Sequence, residues 1–137
     1  MFTRYQSDKE IETLVKRFEN KTLPKSEWTH QAHLAVGLYY LHHHTIHESL
    51  CIMKARIITY NESVGGVNSA TEGYHETLTV FWLSILDNYL KENKRETLCE
   101  TCNEFFASKF FSKDLPLQYY DKEKLFSVEA RSTWVEP

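Results

Sequence analysis

Apolar residues recur along this chain at spacings of three and four, the pattern of helices that bury one face. Between residues 8 and 20, Ile11, Leu14, Val15 and Phe18 form such a stripe, and Leu23-Pro24-Lys25 ends it. Ser26 is a good N-cap for a second helix, from about Glu27 to His43 or His44, whose stripe is Leu34, Leu38 and Leu41 with Val36 and Tyr40 alongside. A third helix, about His47 to Asn61, carries Leu50, Met53, Ile57 and Tyr60. The fourth begins at Thr71 or Tyr74, reaches Lys91, and is the most apolar, with Leu78, Phe81, Trp82, Ile85, Leu86, Tyr89 and Leu90. A shorter fifth runs from about Glu96 to Phe106. Beyond Asp114-Leu115-Pro116 the pattern leaves room for at most two helical turns. The prediction is an all-α fold: one domain over residues 1–137, an antiparallel bundle of about five helices with an irregular C-terminal tail and no substantial sheet.

Composition supports this. Eight Phe, eight Tyr and three Trp against only four Gly and three Pro mean few helix breakers and an aromatic core. A chain of 137 residues can bury that core without disulfides or a structural metal. The net charge of −3 and the lack of a long Lys/Arg run argue against a nucleic-acid surface. No apolar window approaches the length of a membrane span, and the first residues lack a signal-peptide pattern. Three cysteines without a secretory feature read as reduced thiols, so the expected compartment is the cytoplasm.

Two segments carry more polar chemistry than a helical core needs. Trp28-Thr29-His30-Gln31-Ala32-His33-Leu34 opens the second helix, and Gly73-Tyr74-His75-Glu76-Thr77-Leu78-Thr79 opens the fourth. The short link between helices two and three makes them antiparallel. The longer return to helix four then sets helices two and four parallel, with their N-termini at one end. Residues 61–73, with three of the four glycines, would close over that end as a mobile lid. His30, His33, Gly37 and Leu41 share a stripe on helix two, and His75, Thr79, Trp82 and Leu86 share one on helix four. Gly37 would allow close helix approach beneath the histidines.

Helix N-termini keep imidazole neutral, the form a metal requires, and they also favour anions. Two chemistries follow. In the first, His30, His33 and His75 hold a divalent metal ion (Zn, Fe, Mn or Ni), with Glu76 or Glu72 near it. Glu76 and His75 would then act as catalytic groups on a small molecule that Thr29, Tyr74, Thr77 and Arg131 orient. In the second, the same groups form a metal-free module for a small anionic metabolite, with Arg131 as its carboxylate or phosphate partner. A third reading is structural: the imidazoles cap helix ends, and the protein serves a partner. His42, His43, His44 and His47 look metal-like by composition, but they sit at the other end of helix two, where a solvated helix terminus explains them. Cys99 and Cys102 lack both a second cysteine pair and a βαβ context, so neither zinc nor redox chemistry is expected of them.

The combination of Trp28-Thr29-His30, His33-Leu34, Tyr60-Asn61, Gly73 to Thr79 and Phe81-Trp82, with Ala130-Arg131, Trp134 and Pro137 in the tail, resembles a family of small uncharacterised bacterial all-helical proteins. The resemblance covers residues 24–86 and the tail. It implies the helical fold and marks the same motif residues, without supplying a reaction. Neither the His42–His47 cluster nor the Cys99/Cys102 pair belongs to it.

Overall fold

The computed structural model describes residues 2–137, and every regular element among them is helical. Five longer helices form the body: α1 (Asp8–Glu19), α2 (His30–His43), α3 (Ile46–Ser63), α4 (Glu76–Asn93) and α5 (Leu98–Phe106). Two short ones, α6 (Lys122–Leu125) and α7 (Val128–Ser132), lie in the tail, with 3-10 turns at Lys25–Glu27, Lys109–Phe111 and Leu115–Gln118. No helix among the described residues is long and apolar enough to cross a membrane.

The helix starts follow from capping chemistry. Thr29, Thr45, His75, Thr97 and Ser127 each accept a bond from a backbone N–H in the first turn. At α3, Thr45 and Glu48 complete a reciprocal capping box. The expected cap at Ser26 is corrected to Thr29: Ser26 lies inside the 3-10 turn, and Trp28 leaves it with φ −84° and ψ 65°. Thr29 is the extended residue whose oxygen reaches Ala32 N–H. Likewise α4 starts at Glu76 rather than Thr71 or Tyr74, because His75 is its cap.

Helix α2 is the centre of the body and packs against α1, α3, α4 and α5. Ala32, Leu34, Ala35, Val36, Gly37, Leu38, Tyr40 and Leu41 are all buried, so this helix is apolar nearly all round, as a central helix must be. Beneath the histidines, an added Cβ on Gly37 would come within 2.8 Å of Leu86 Cδ1, so α2 and α4 meet there at close range. Tyr40 sends its hydroxyl to Glu19 (2.6 Å) and Tyr60 to Leu23 O (2.8 Å), pinning α1 and the following turn to α2 and α3.

The tail carries more order than its sequence pattern suggests. Phe81, Leu115, Tyr120 and Leu125 make a second, smaller core against the outer side of α4. Helix α7 also packs on α4.

Candidate functional site

A cavity of about 670 Å³ opens between the N-terminal turns of α2 and α4 and the C-terminal half of α3. His30, His33 and His75 all line it, together with Thr29 and Tyr74. Its body is apolar: Leu34, Met53, Ile57, Leu78, Leu83 and Leu86, flanked by the rings of Trp28 and Trp82. Helices α2 and α4 thus present their N-termini to one space. The tail supplies the remaining wall through Lys113, Asp114, Pro116, Leu117, Leu125 and Phe126. A second, more open groove of about 1010 Å³ also takes in His30, with charged side chains such as Lys9, Glu10, Arg17 and Glu27 in its wall.

The histidines share the cavity without converging on an ion. His75 is buried, and both its ring nitrogens are committed. Nδ1 accepts from Leu78 N–H (3.1 Å), so Nε2 carries the proton and donates to Leu125 O (2.8 Å). His33 donates from Nδ1 to Thr29 O (2.7 Å), and His30 donates from Nε2 to Phe111 O (2.8 Å). Each of these two rings therefore keeps one bare nitrogen, Nε2 on His33 and Nδ1 on His30. Among the described residues, no three His, Cys, Asp or Glu side chains are grouped to hold a metal ion. His30, His33 and His75, the expected ligand set, are not so grouped, and for His75 to take an ion it would have to give up its helix cap or its tail contact.

All three imidazoles are held below the usual histidine pKa. Burial is the main cause each time, opposed by the hydrogen bond to a backbone carbonyl. His33 is pushed furthest, to about 4, with His30 and Lys113 adding to the effect of burial. Trp28 stacks on His33 at 3.8 Å between ring centroids and on Phe18 at 4.2 Å, so the His33 ring rests against a packed indole. His30 meets the edge of Trp82 at 5.1 Å.

The other expected site residues make the following contacts. Glu76 is not in the cavity wall: it accepts the Tyr74 hydroxyl (2.7 Å) and faces Lys54 (3.6 Å). Tyr74 is buried, and burial together with this bond to Glu76 raises its pKa. Thr77, fully buried, donates to Thr133 O (2.8 Å) and accepts from Val135 N–H (3.1 Å), a clamp on the tail. Arg131 donates to Gly73 O (2.8 Å) and so ties the tail to the segment that enters α4, instead of facing an anion in the cavity. Thr29 is the α2 cap. Sequence reasoning missed Met53, Ile57, Lys113, Leu117 and Phe126 as wall residues. The first two lay hidden in an ordinary core stripe, and the others lie in a tail without periodicity.

The segment before α4 is built around Asn68. Its Oδ1 accepts from Asn61 Nδ2 (3.1 Å) and Tyr74 N–H (3.0 Å), and its Nδ2 donates to Ile58 O (3.0 Å). Gly73 has φ +80°, and a Cβ there would run into Val67 O and Asn68. His42, His43, His44 and His47 are exposed at the far end of α2 and the start of α3. Cys99 and Cys102 are buried free thiols, with Cys99 Sγ against Tyr5 O (3.1 Å).

No family model, curated protein or solved structure matches this chain. The site is therefore read from its own geometry.

Proposed function

We propose that the protein is a binding module that holds a small organic molecule in the cavity between α2, α3 and α4, without a metal ion. The observation that carries this reading is the cavity itself: about 670 Å³ of mainly apolar wall with two neutral imidazoles at one end. That size and make-up, an apolar body with a few placed polar groups, is the usual form of a small-molecule site. Binding is favoured over catalysis because the expected acid–base pair is otherwise engaged. Glu76 pairs with Tyr74 and Lys54, and His75 spends both nitrogens on backbone groups. A base held near pKa 4, such as His33, is also poorly matched to proton transfer at neutral pH. We place the protein in the cytoplasm, where its three free thiols, one of them the exposed Cys51, suit the reducing environment.

Mass spectrometry of the untagged protein, first native and then denatured, tests the reading by looking for a co-purifying molecule released on unfolding. Elemental analysis of the same sample should find no stoichiometric transition metal. Thr79→Phe, which fills the cavity from α4, should keep the helical circular dichroism and lose the molecule. Retention of the molecule by that variant would place it elsewhere, and a stoichiometric metal ion would overturn the metal-free reading.

A further inference from the structure

Two imidazoles in the cavity wall, His30 and His33, differ in tautomer, yet each retains one acceptor nitrogen. A carbonyl fixes each proton on the ring: Thr29 O holds it on Nδ1 of His33, and Phe111 O holds it on Nε2 of His30. The remaining nitrogen of each ring is a lone-pair acceptor, with no donor among the described residues bonded to it. Neither ring has a carboxylate partner that would favour the charged form, and Lys113 in the wall disfavours it further.

Lys113 is the one cation in the cavity wall among the described residues. It is exposed, and the exposed Asp114 beside it in the same wall offsets its charge. Arg131, the other candidate for an anion, already donates to Gly73 O. An anion entering this space would meet two lone pairs and apolar carbon, with the exposed Lys113, already offset by Asp114, as the one cation in the described wall. A neutral donor would meet acceptors that otherwise have only water as a partner.

The wall also specifies shape. Trp28 and Trp82 flank the imidazoles, and Leu117 and Phe126 line the cavity while remaining 40% and 51% exposed. A flat apolar ligand would cover those exposed surfaces and stack among the rings. We propose that the cavity selects neutral, flat, largely apolar molecules that donate a hydrogen bond from a hydroxyl or ring N–H, and that it rejects carboxylates and phosphates. This rests on the cavity being a binding site and names the class of ligand it takes.

A matched probe series tests it by titration calorimetry on the intact protein: 2-naphthol, its methyl ether and 2-naphthoate. The naphthol should bind about tenfold more tightly than the ether, which leaves the acceptors unpaired, and the naphthoate should give no binding heat. In the double variant His30→Phe/His33→Phe the naphthol and the ether should bind alike. Should that variant fail to fold, the ¹⁵N resonances of His33 Nε2 and His30 Nδ1 in the wild-type protein give the same discrimination. At least one of them should move upfield with the naphthol, and both should stay put with the ether. Equal binding of naphthol and ether by the wild type, or naphthoate binding as tightly as the naphthol, overturns the ligand class and leaves the pocket reading standing. No heat with any probe, with the indole signals of Trp28 and Trp82 unmoved, overturns the pocket reading itself.

Discussion

Burial acts on His30, His33 and His75 in one direction, and each ring answers with a different hydrogen bond. Because the folded state holds these protons less tightly than the unfolded chain, the stability they contribute is complete above the ordinary histidine pKa of about 6.5 and is lost as pH falls towards the lowered values. For His33, with its folded pKa near 4, the window is between about 6.5 and 4, and the loss across it is on the order of 3 kcal/mol. Urea unfolding measured from pH 7 down to 4.5 should show stability falling steadily, and His33→Phe should flatten that slope. A wild-type profile that stays level over this range would mean that His33 titrates normally. His75 is tested by a different measurement. His75→Ala removes the α4 cap and orphans the Leu125 carbonyl, so we expect a loss of about 2 kcal/mol in chemical denaturation, the sum of one cap and one hydrogen bond. A loss below about 0.5 kcal/mol would show that water replaces both contacts.

At the scale of elements, the five main helices are legible because their signal is local. The stripe of Ile11, Val15 and Phe18, or of Met53, Ile57 and Tyr60, repeats within a few turns, and those are the residues the fold buries. The common end shared by the N-termini of α2 and α4 is legible too, since the short link at His44-Thr45 forces α3 to run back along α2. What periodicity does not carry is where a side chain sends its polar atoms. The partner of His75 Nε2 is fifty residues away, and the Thr77 contacts span similar distances along the chain. Spacing places three imidazoles in one region but says nothing about which nitrogens backbone groups have already claimed. Asn68 is a further case, an ordinary loop residue by sequence whose amide joins the end of α3 to the entry of α4. Asn68→Ala should therefore raise amide exchange across residues 66–74 by at least tenfold while leaving the middle of α2 unchanged. Unchanged exchange in that segment would show that Gly73 and the chain path alone hold it.

Over the whole molecule, the first turn of α4 works as a lock for the last part of the chain. Gly73 and Tyr74 carbonyls take Arg131, His75 takes Leu125 O, and Thr77 takes Thr133 O and Val135 N–H, so five hydrogen bonds hold residues 125–135 against one helix end. The held segment carries Leu125 and Phe126 in the cavity wall, which makes the tail a structural condition for the site. Thr77→Val keeps the buried shape and deletes only the hydroxyl. Its two former partners can regain water if the tail lifts, so the variant should cost about 1–2 kcal/mol, and that cost should fall on tail attachment more than on global unfolding. Trypsin reads this directly, because Arg131 lies in the clamped segment and Lys124 immediately before it. Cleavage there should accelerate several-fold in Thr77→Val under native conditions, while sites in α1 and α3 keep their wild-type rates. If all sites accelerate together, Thr77 stabilises the body of the bundle and the tail does not open separately. If none does, the Phe81, Leu115, Tyr120 and Leu125 cluster is enough to hold the tail without the hydroxyl.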